Sequence, residues 1–540
     1  MNQLGRLFIL SLLFLITTTA NAQDPSISWW FDTNDASFGQ SAAADIDGDG
    51  KLEIVFGCYR NDSSIYALNA DNGTLLWKFN ASAPGSHGCN DVAPIIYDTN
   101  DDGNLEVIVP GSCNPKTFCF NGATGEVIWD IDTRGSDSPP TIADIDNDGK
   151  PEILHGEFGG YVLCINAEDG SEAWEILVDD NSWVQTAPTL VDLNGDGQLD
   201  LIVGTWNFDD ADSVYAYNGV DQSLLWTYPV KDYIYHGTAI ADFDNDGKPE
   251  LIIGSYNDTL YCLNGEDGTI DWKYKGPGGY IGSPASIGDI DNDGSCDVIL
   301  TNGYKVTALS NDGELKWDYT IPDFTSAFRG AVLSDINDDS NLDVVFCTSG
   351  GLVIGLNGIN GDLLWIVDLA EHYGDPTFSL DNAPLIADFD DDGYLDVFVV
   401  GGHAEYPDIH LNFGRAYMIS IGPGDGPDWL MFQQDIRRQS SLCPFPYSGV
   451  GIAEESHNPL SQITVYPNPA NSATTISFSN DLAQPHELTV YSTDGKLIQK
   501  LEHISSSTID INLTNWDKGM YFFQLSNQGI PVGEGKFVVR

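Results

Sequence analysis

Basic side chains are scarce. The 540 residues carry 22 Lys and Arg against 81 Asp and Glu, a formal net charge of −59. Nucleic acid is excluded as a partner, because binding it needs a basic surface that displaces counterions from the phosphates. An anionic membrane surface is excluded on the same ground. Long apolar runs are missing too. After the N-terminus nothing reaches the roughly 18 apolar residues that a membrane-spanning helix requires. The nine cysteines include no C-x-x-C, so neither a zinc ribbon nor a redox site is indicated. There is no adjacent Cys-Cys pair and no C-x-x-C-H haem attachment sequence. No nucleophile–base pair or general acid emerges, since His87, His236, His372 and His403 each stand alone. The reading therefore leans away from an enzyme.

What is present is a large apolar content, 42% hydrophobic and 11% aromatic, ample for sizeable cores. Residues 1–22 read as a secretory signal peptide: Arg6 at the positive start, Leu7 to Ile16 as the apolar run, and Ala20-Asn21-Ala22 as the small-residue cleavage site. Export permits disulfides. Of the loop cysteines Cys58, Cys89 and Cys113, the pair Cys89–Cys113 is preferred as a bridge. Cys119, Cys164 and Cys262 recur at one place in similar segments and read as small buried hydrophobes.

The dominant feature is an acidic motif that occurs eight times. It reads "DIDGDGKLE" (45–53), "DTNDDGNLE" (98–106), "DIDNDGKPE" (144–152), "DLNGDGQLD" (192–200), "DFDNDGKPE" (242–250), "DIDNDGSCD" (289–297), "DINDDSNLD" (335–343) and "DFDDDGYLD" (388–396). The start-to-start steps are 53, 46, 48, 50, 47, 46 and 53 residues, and a period near 50 signals a repeat architecture. Each unit carries four apolar segments: a short run before the acids, a β-branched run after them, an alternating segment ending in Asn-Gly or similar, and a Trp-bearing segment such as "TLLWKF". Period-two patterning with Gly, Asn and Asp turns makes these strands. Four strands per 40–50 residues predict an all-β fold, an eight-bladed β-propeller over residues 23–450, with seven blades as the alternative. The strand "ISWWFD" (27–32) lacks an acidic loop and is expected to complete the last blade, closing the ring. "PDWLMFQQD" (427–435) competes for that place.

Alternating acids with Gly at position 6 suit a hard cation, which takes six to eight oxygen ligands. Position 12, where an EF-hand has Glu, is apolar or His here, and a strand follows. The pattern D-x-[DN]-x-D-G-x-x-[DE] between two strands resembles the calcium hairpins of FG-GAP repeats and of bacterial VCBS repeats. That resemblance implies up to eight structural Ca²⁺ ions, each held by the side chains at positions 1, 3, 5 and 9 and the backbone carbonyl at 7. In the first four loops these are Asp45, Asp47, Asp49, Lys51 and Glu53; Asp98, Asn100, Asp102, Asn104 and Glu106; Asp144, Asp146, Asp148, Lys150 and Glu152; and Asp192, Asn194, Asp196, Gln198 and Asp200. In the last four they are Asp242, Asp244, Asp246, Lys248 and Glu250; Asp289, Asp291, Asp293, Ser295 and Asp297; Asp335, Asn337, Asp339, Asn341 and Asp343; and Asp388, Asp390, Asp392, Tyr394 and Asp396. Ser340 replaces the position-6 Gly, so the seventh site is expected to be the weakest.

"YALNADNGTLLW" (66–77) resembles the tryptophan-docking motif of quinone-dependent dehydrogenases, with related segments ending at Trp129, Trp226, Trp272, Trp317 and Trp365, and at Trp174 one residue early. The recurrent Trp is read as packing between blades. That family's cofactor site typically uses adjacent cysteines, absent here, so a quinone-dependent dehydrogenase ranks third among the functions.

After a linker at 451–462, residues 463–540 form a separate all-β unit. "VYPNPA" (465–470), "LTVYSTDGKLI" (488–498), "LTNWDKGMYFFQL" (513–525) and "GKFVVR" (535–540) resemble the type A C-terminal sorting domain of the type IX secretion system, a small β-sandwich. The resemblance implies export through the Sec pathway and then across an outer membrane, with the secretion machinery as partner and a secreted or cell-surface location.

The acidic loops join the first and second strands of each unit and so occupy one face of the ring. Long, varied loops occupy the opposite face, where binding is expected. Trp183, Tyr235, His236, Tyr280, Phe328 and Arg329 lie just before innermost strands, either ringing the central opening to stack on sugar rings or packing between blades. The leading expectation is a binding or adhesion module for a glycan or protein. A polysaccharide lyase or hydrolase is the alternative.

Overall fold

The computed structural model describes residues 25–443, apart from 84–85, 210–211, 278 and 425, and most of 464–539. The expected signal peptide and linker lie outside the described residues. The chain divides into two compact units, Met1–Ile452 and Ala453–Arg540.

In the first unit the described strands form eight four-stranded antiparallel sheets, each running from a three- or four-residue inner strand to a six- or eight-residue outer one. The unit is a β-propeller. Burial follows strand order. Second strands such as Glu53–Gly57 and Asp200–Gly204 are buried at every position, which is why the residues after their leading acid are mostly β-branched or apolar. Fourth strands such as Leu363–Asp368 are exposed or half-buried at every position, as befits the outer edge of each sheet.

The N-terminal strand takes the closing place. Ser26–Thr33 pairs with Phe413–Gly422, which pairs in turn with Leu395–His403 and then Leu385–Ala387. Its Trp29 then locks onto the first sheet, donating from Nε1 to the Ala70 carbonyl at 2.8 Å. The same contact recurs around the ring, from Trp77 to Gly122, Trp129 to Ala167, Trp226 to Gly265, Trp272 to Asn311 and Trp317 to Gly358, at 2.6–3.0 Å. Each ring lies on a turn glycine of the next sheet. At Gly73, with φ +69°, an added Cβ would meet the Trp29 ring at 2.5 Å, so neither the turn nor the stacking tolerates a side chain. The recurrent Trp is thus an inter-blade contact. Trp365 departs from the pattern: its ring sits against Gly355 of its own sheet and its Nε1 has no partner.

Residues 427–435 do not compete for the closing edge. They belong to a segment that circles the inner edges of the sheets. Gly426 accepts from Asp335 N, Trp429 from Ile386 N, Leu430 from Ala43 N, Ile436 from Ile142 N, Arg437 from Leu190 N, Gln439 from Ile240 N and Ser440 from Ile287 N, at 2.6–3.3 Å. The segment therefore meets the sheets in ring order. The sheet it misses by backbone, that of Ile95–Tyr97, is reached by Arg438, whose Nη2 donates to Pro94 O at 3.3 Å. Arg438 is fully buried. Its Nε and Nη1 donate to Pro140 O and Phe432 O, so carbonyl dipoles replace the lost water. Burial lowers its pKa to about 10, which leaves it charged at neutral pH.

Cys89 and Cys113 form the expected disulfide, and a second one, Cys296–Cys443, fastens the end of the inner segment. Cys58, Cys119, Cys164, Cys262 and Cys347 are free and buried.

The second unit has a three-stranded sheet (Thr464–Tyr466, Ala473–Ser477, Thr508–Asn512) and a four-stranded one (His486–Ser492, Leu497–Ile504, Gly519–Asn527, Ile530–Val539). Both supply the same apolar core, with Ile476 and Ile511 from the first and Leu488, Val490, Phe523 and Leu525 from the second.

Trp77, only 7% exposed, is expected to cost about 3–5 kcal/mol on replacement by Ala. Leu224, 52% exposed on an outer strand, should cost no more than about 0.5 kcal/mol. Denaturant unfolding of W77A and L224A checks the difference.

Candidate metal centres and ligand face

All eight acidic loops share one backbone design. Position 4 has a positive φ of 55–76° in every copy and is always Gly, Asp or Asn, the residues that tolerate the left-handed region. Position 6 is left-handed too, at φ 67–90°. Ser340 holds it at φ +67°, so the strain expected of a side chain there is present.

The carboxylates turn inward for a reason visible in the hydrogen bonds. One oxygen of the position-1 Asp accepts the position-6 N–H in each loop, as in Asp45 from Gly50 at 3.0 Å and Asp388 from Gly393 at 2.9 Å. Position 5 accepts from the N–H at position 7, as in Asp148 from Lys150 at 2.9 Å. Position 9 reaches back to the N–H of position 2, at 2.7 Å from Phe243 to Glu250 and 3.0 Å from Leu193 to Asp200. These bonds occupy some of the carboxylate oxygens and leave others pointing at a common centre. In five loops the atoms of three acids lie within 4.8 Å of one another: Asp45, Asp47 and Glu53; Asp144, Asp146 and Glu152; Asp242, Asp244 and Asp246; Asp289, Asp291 and Asp297; Asp388, Asp390 and Asp396. The other three loops have the neutral Asn100, Asn194 or Asn337 at position 3.

These residues fit a hard cation. Glu53 Oε1, Asp291 Oδ1 and Asn337 Oδ1 are buried oxygens without a hydrogen-bond partner, each at a predicted ligand position. All the donors are oxygens, which suits calcium. Without a counter-charge the sites are costly: two like charges about 4 Å apart repel by roughly 4 kcal/mol at an effective dielectric near 20. Burial first, and the neighbouring Asp charges with it, push the position-9 carboxyls up. Glu53, Asp200, Glu250, Asp343 and Asp396 move to about 7, Glu152 to about 8 and Asp297 to about 6, and Glu106 is raised as well.

One participant escaped the sequence reading. Lys316 Nζ donates to Asp291 at 2.9 Å and Asp297 at 2.6 Å, placing an ammonium among the carboxylates of the sixth loop. It lies on the outer strand, one residue before the docking Trp317. No local pattern marks it, although "LKW" departs from the apolar pair that precedes Trp77, Trp129, Trp226 and Trp365.

On the opposite face the described loops enclose a cavity of roughly 450 Å³ lined by Phe38, Tyr59, Asp91, Tyr280, Ser326, Phe328, Arg329, Asp381, Ala404, Glu405 and Tyr406. Every one of these lies between an outer strand and the next inner strand, or between second and third strands, the two connections that avoid the acidic face. Five of the six aromatic-face residues come together. Tyr235 and His236 lie 3.6 Å apart by ring centroid, and Phe328 is 5.8 Å from Tyr235 and 6.0 Å from Tyr280. Trp183 is separate, packed between Phe158 and Phe208. His236 is fully buried and supports the site from beneath. Its Nδ1 meets the Gly282 carbonyl at 2.7 Å, so Nδ1 carries the proton and bare Nε2 accepts from Arg329 Nη1 at 2.5 Å. Burial and the Arg329 charge hold the imidazole well below its usual pKa. Tyr59, Tyr406, Asp91 and Asp381 were missed in the sequence because they come from loops far apart in the chain.

Comparison with known proteins agrees with both halves. FG-GAP-like repeats match at residues 45–109, 144–203, 192–253 and 242–300, covering the first six acidic loops. A secretion system C-terminal sorting domain matches at 464–540. Among curated relatives, rhamnogalacturonan endolyase YesW of Bacillus subtilis is 28% identical over 259 residues, 42% of this chain and 38% of that protein. The dehydrogenase subunit of a quinone alcohol dehydrogenase from Gluconobacter oxydans is 24% identical over 291 residues, 48% of this chain and 34% of that one. The chain thus spans well under half the length of either. Among solved structures, the V. cholerae biofilm matrix protein Bap1 matches with a TM-score of 0.56 at 15% identity, covering 76% of this chain and 94% of that one, a likeness of fold.

The raised carboxyls set a pH dependence. In the metal-free protein the folded state binds protons more tightly than the unfolded chain, so its stability falls as pH rises from about 4.5 to about 8. Calcium needs the same groups ionised, so its stabilisation grows over that window. Melting curves in chelator and in millimolar calcium should therefore diverge with rising pH; parallel curves would refute the assignment. S340G should raise stability by about 1 kcal/mol by removing the left-handed side chain.

Proposed function

We propose that this chain, which carries FG-GAP-like repeats and a secretion sorting tail, is an exported, calcium-stabilised propeller that binds a glycan or a protein on the face opposite its acidic hairpins. The observation that carries this reading is the aromatic-lined cavity built wholly from loops of that face. Function placed on loops held by a rigid scaffold is the usual arrangement. The sorting tail indicates type IX secretion to the cell surface or the extracellular space, and no described helix is long and apolar enough to cross a membrane.

Calcium serves the scaffold. Up to eight ions, held by positions 1, 3, 5, 7 and 9 of each loop, cancel the repulsion and turn binding energy into folding energy. The seventh loop, with Ser340, and the sixth, with Lys316 already among its acids, hold their ions least tightly. Dissociation constants of about 10⁻⁴–10⁻³ M suit extracellular modules, and such sites stay filled outside a cell. The calcium-loaded protein is expected to melt at a higher temperature than the chelated form and to retain specific glycans or proteins in array and pull-down screens. Equal melting temperatures would remove the calcium reading, and silence in both screens the binding reading.

A second reading is cleavage of a polysaccharide at the same cavity. It is favoured by the likeness to the endolyase and by Asp137, which burial and the neighbouring Asp91 charge push up to about 7 beside Arg329. A carboxyl near neutrality suits a general base. Release of unsaturated products from acidic polysaccharides would decide for it.

A further inference from the structure

The cavity opposite the acidic hairpins has a donor and an acceptor left over. Arg329 is 7% exposed and lines the cavity, yet its Nε has no hydrogen-bond partner, and its charge acts on Asp137 and Asp381 without a close ion pair among the described residues. Its contacts are with neutral groups, the Nε2 of His236 and the side chain of Tyr235, which fix the guanidinium without neutralising it. Asp137, close enough to Asp91 and Arg329 to feel both charges, has a buried Oδ1 without a partner. Asp91 and Asp381 are held at one oxygen each, by Ser112 and Ser379 at 2.8 Å. Around these polar groups stand aromatic faces, Phe328 and Tyr280 within and Tyr406 at the rim, 75% exposed. Arg60 steadies that rim, lying 5.2 Å from the Tyr59 ring and 5.1 Å from the Tyr406 ring.

We infer that this cavity holds one neutral pyranose residue of a glycan, its apolar face against the aromatic wall and its hydroxyls shared between Arg329 and the carboxylates of Asp91 and Asp381. The inference rests on the glycan half of the reading above and narrows it. A hydroxyl both donates and accepts, so a vicinal pair satisfies the donors left on the Arg329 guanidinium and a carboxylate oxygen left on Asp91 or Asp381 together. A ligand cation satisfies the acids but meets Arg329. A uronate satisfies Arg329 but brings a carboxylate among Asp91, Asp137, Asp381 and Glu405. Leaving any of these groups buried and unmatched costs more than the hydrogen bond itself contributes. The volume is in the range of small-molecule sites, about 300–1,000 Å³.

The test uses the full chain in millimolar calcium. A glycan array selects oligosaccharides, and calorimetry then compares the best neutral one with its uronate counterpart and with choline. The neutral sugar is expected to bind, with the uronate and choline at least about tenfold weaker, the size of one unmatched buried polar group. Tyr406→Ala, at an exposed rim position, and Asp381→Asn, which keeps the side-chain volume, should each weaken the neutral sugar by about tenfold, with melting temperature reporting that the fold is intact. Uronate or choline binding as tightly as the neutral sugar overturns the inference. Neutral-sugar binding that both variants leave unchanged overturns it too, placing the glycan elsewhere while sparing the broader reading. No binding of any saccharide beside capture of a protein ligand overturns the inference and the glycan half alike.

Discussion

A sheet exposes a row of unpaired backbone groups at each edge, and a ring of sheets is stable only when its first and last members join. Every larger feature of this propeller depends on that closure. The strand Ser26–Thr33 enters the sheet made by the end of the unit, some 400 residues away in the chain, and its Trp29 makes the same docking contact as the tryptophans at five other junctions. Strand pairing closes one side of the seam and indole stacking the other. The segment 426–443 adds a second, inner closure by bonding to the edges of the innermost strands in ring order. Its Phe432 also packs edge to face with the His236 ring at 6.3 Å.

Electrostatics then decide what the closed ring requires from its surroundings. The position-9 acid begins the second strand in seven loops and is its second residue in the eighth, among residues that are buried, as at Glu53 and Asp200. Moving it means moving the core of the sheet. A cation held by these acids would therefore be coupled to the packing of its blade and not merely hung on a surface turn. In a chain with a net charge of −59 this coupling makes the medium part of the fold: the ions abundant outside cells are the ones that such oxygen-rich loops accept. On the function proposed above, the sorting tail and a calcium-stabilised scaffold are two aspects of one requirement.

The two faces of the ring divide the labour by topology. Connections between first and second strands repeat one short grammar, with left-handed positions 4 and 6 and inward-turned acids in every copy, the geometry the proposed cation would require. Connections on the other face carry no such constraint and differ in length and chemistry. Their convergence brings Tyr59, Asp91, Phe328, Arg329, Asp381 and Tyr406 to one cavity. The buried His236 shows how the scaffold serves it, since a neutral imidazole fixes the arginine while leaving most of its fork free.

The repeat was legible in the sequence because its causes are local. Left-handed positions 4 and 6 demand Gly, Asn or Asp within a few residues of the acids, and a four-strand period writes itself as alternating apolar segments. The docking tryptophans were legible for the same reason, as was the closing strand, which has a fourth-strand pattern and no acidic loop of its own. The inner segment was not. It has almost no regular strand structure, and its bonds go to edges spread over the whole ring, so nothing in "PDWLMFQQD" distinguishes it from an outer strand. Lys316 in the sixth loop and the Cys296–Cys443 bridge were hidden likewise, their partners lying 19 and 147 residues away. The ligand face shows the division most sharply. Aromatics before the inner strands marked part of the wall, but which of them converge, and that Trp183 packs elsewhere, is decided by loops from opposite ends of the chain meeting in space. Local turn chemistry and strand period were in the sequence by itself, and long-range convergence belongs to the tertiary structure, because only a closed ring brings those loops together.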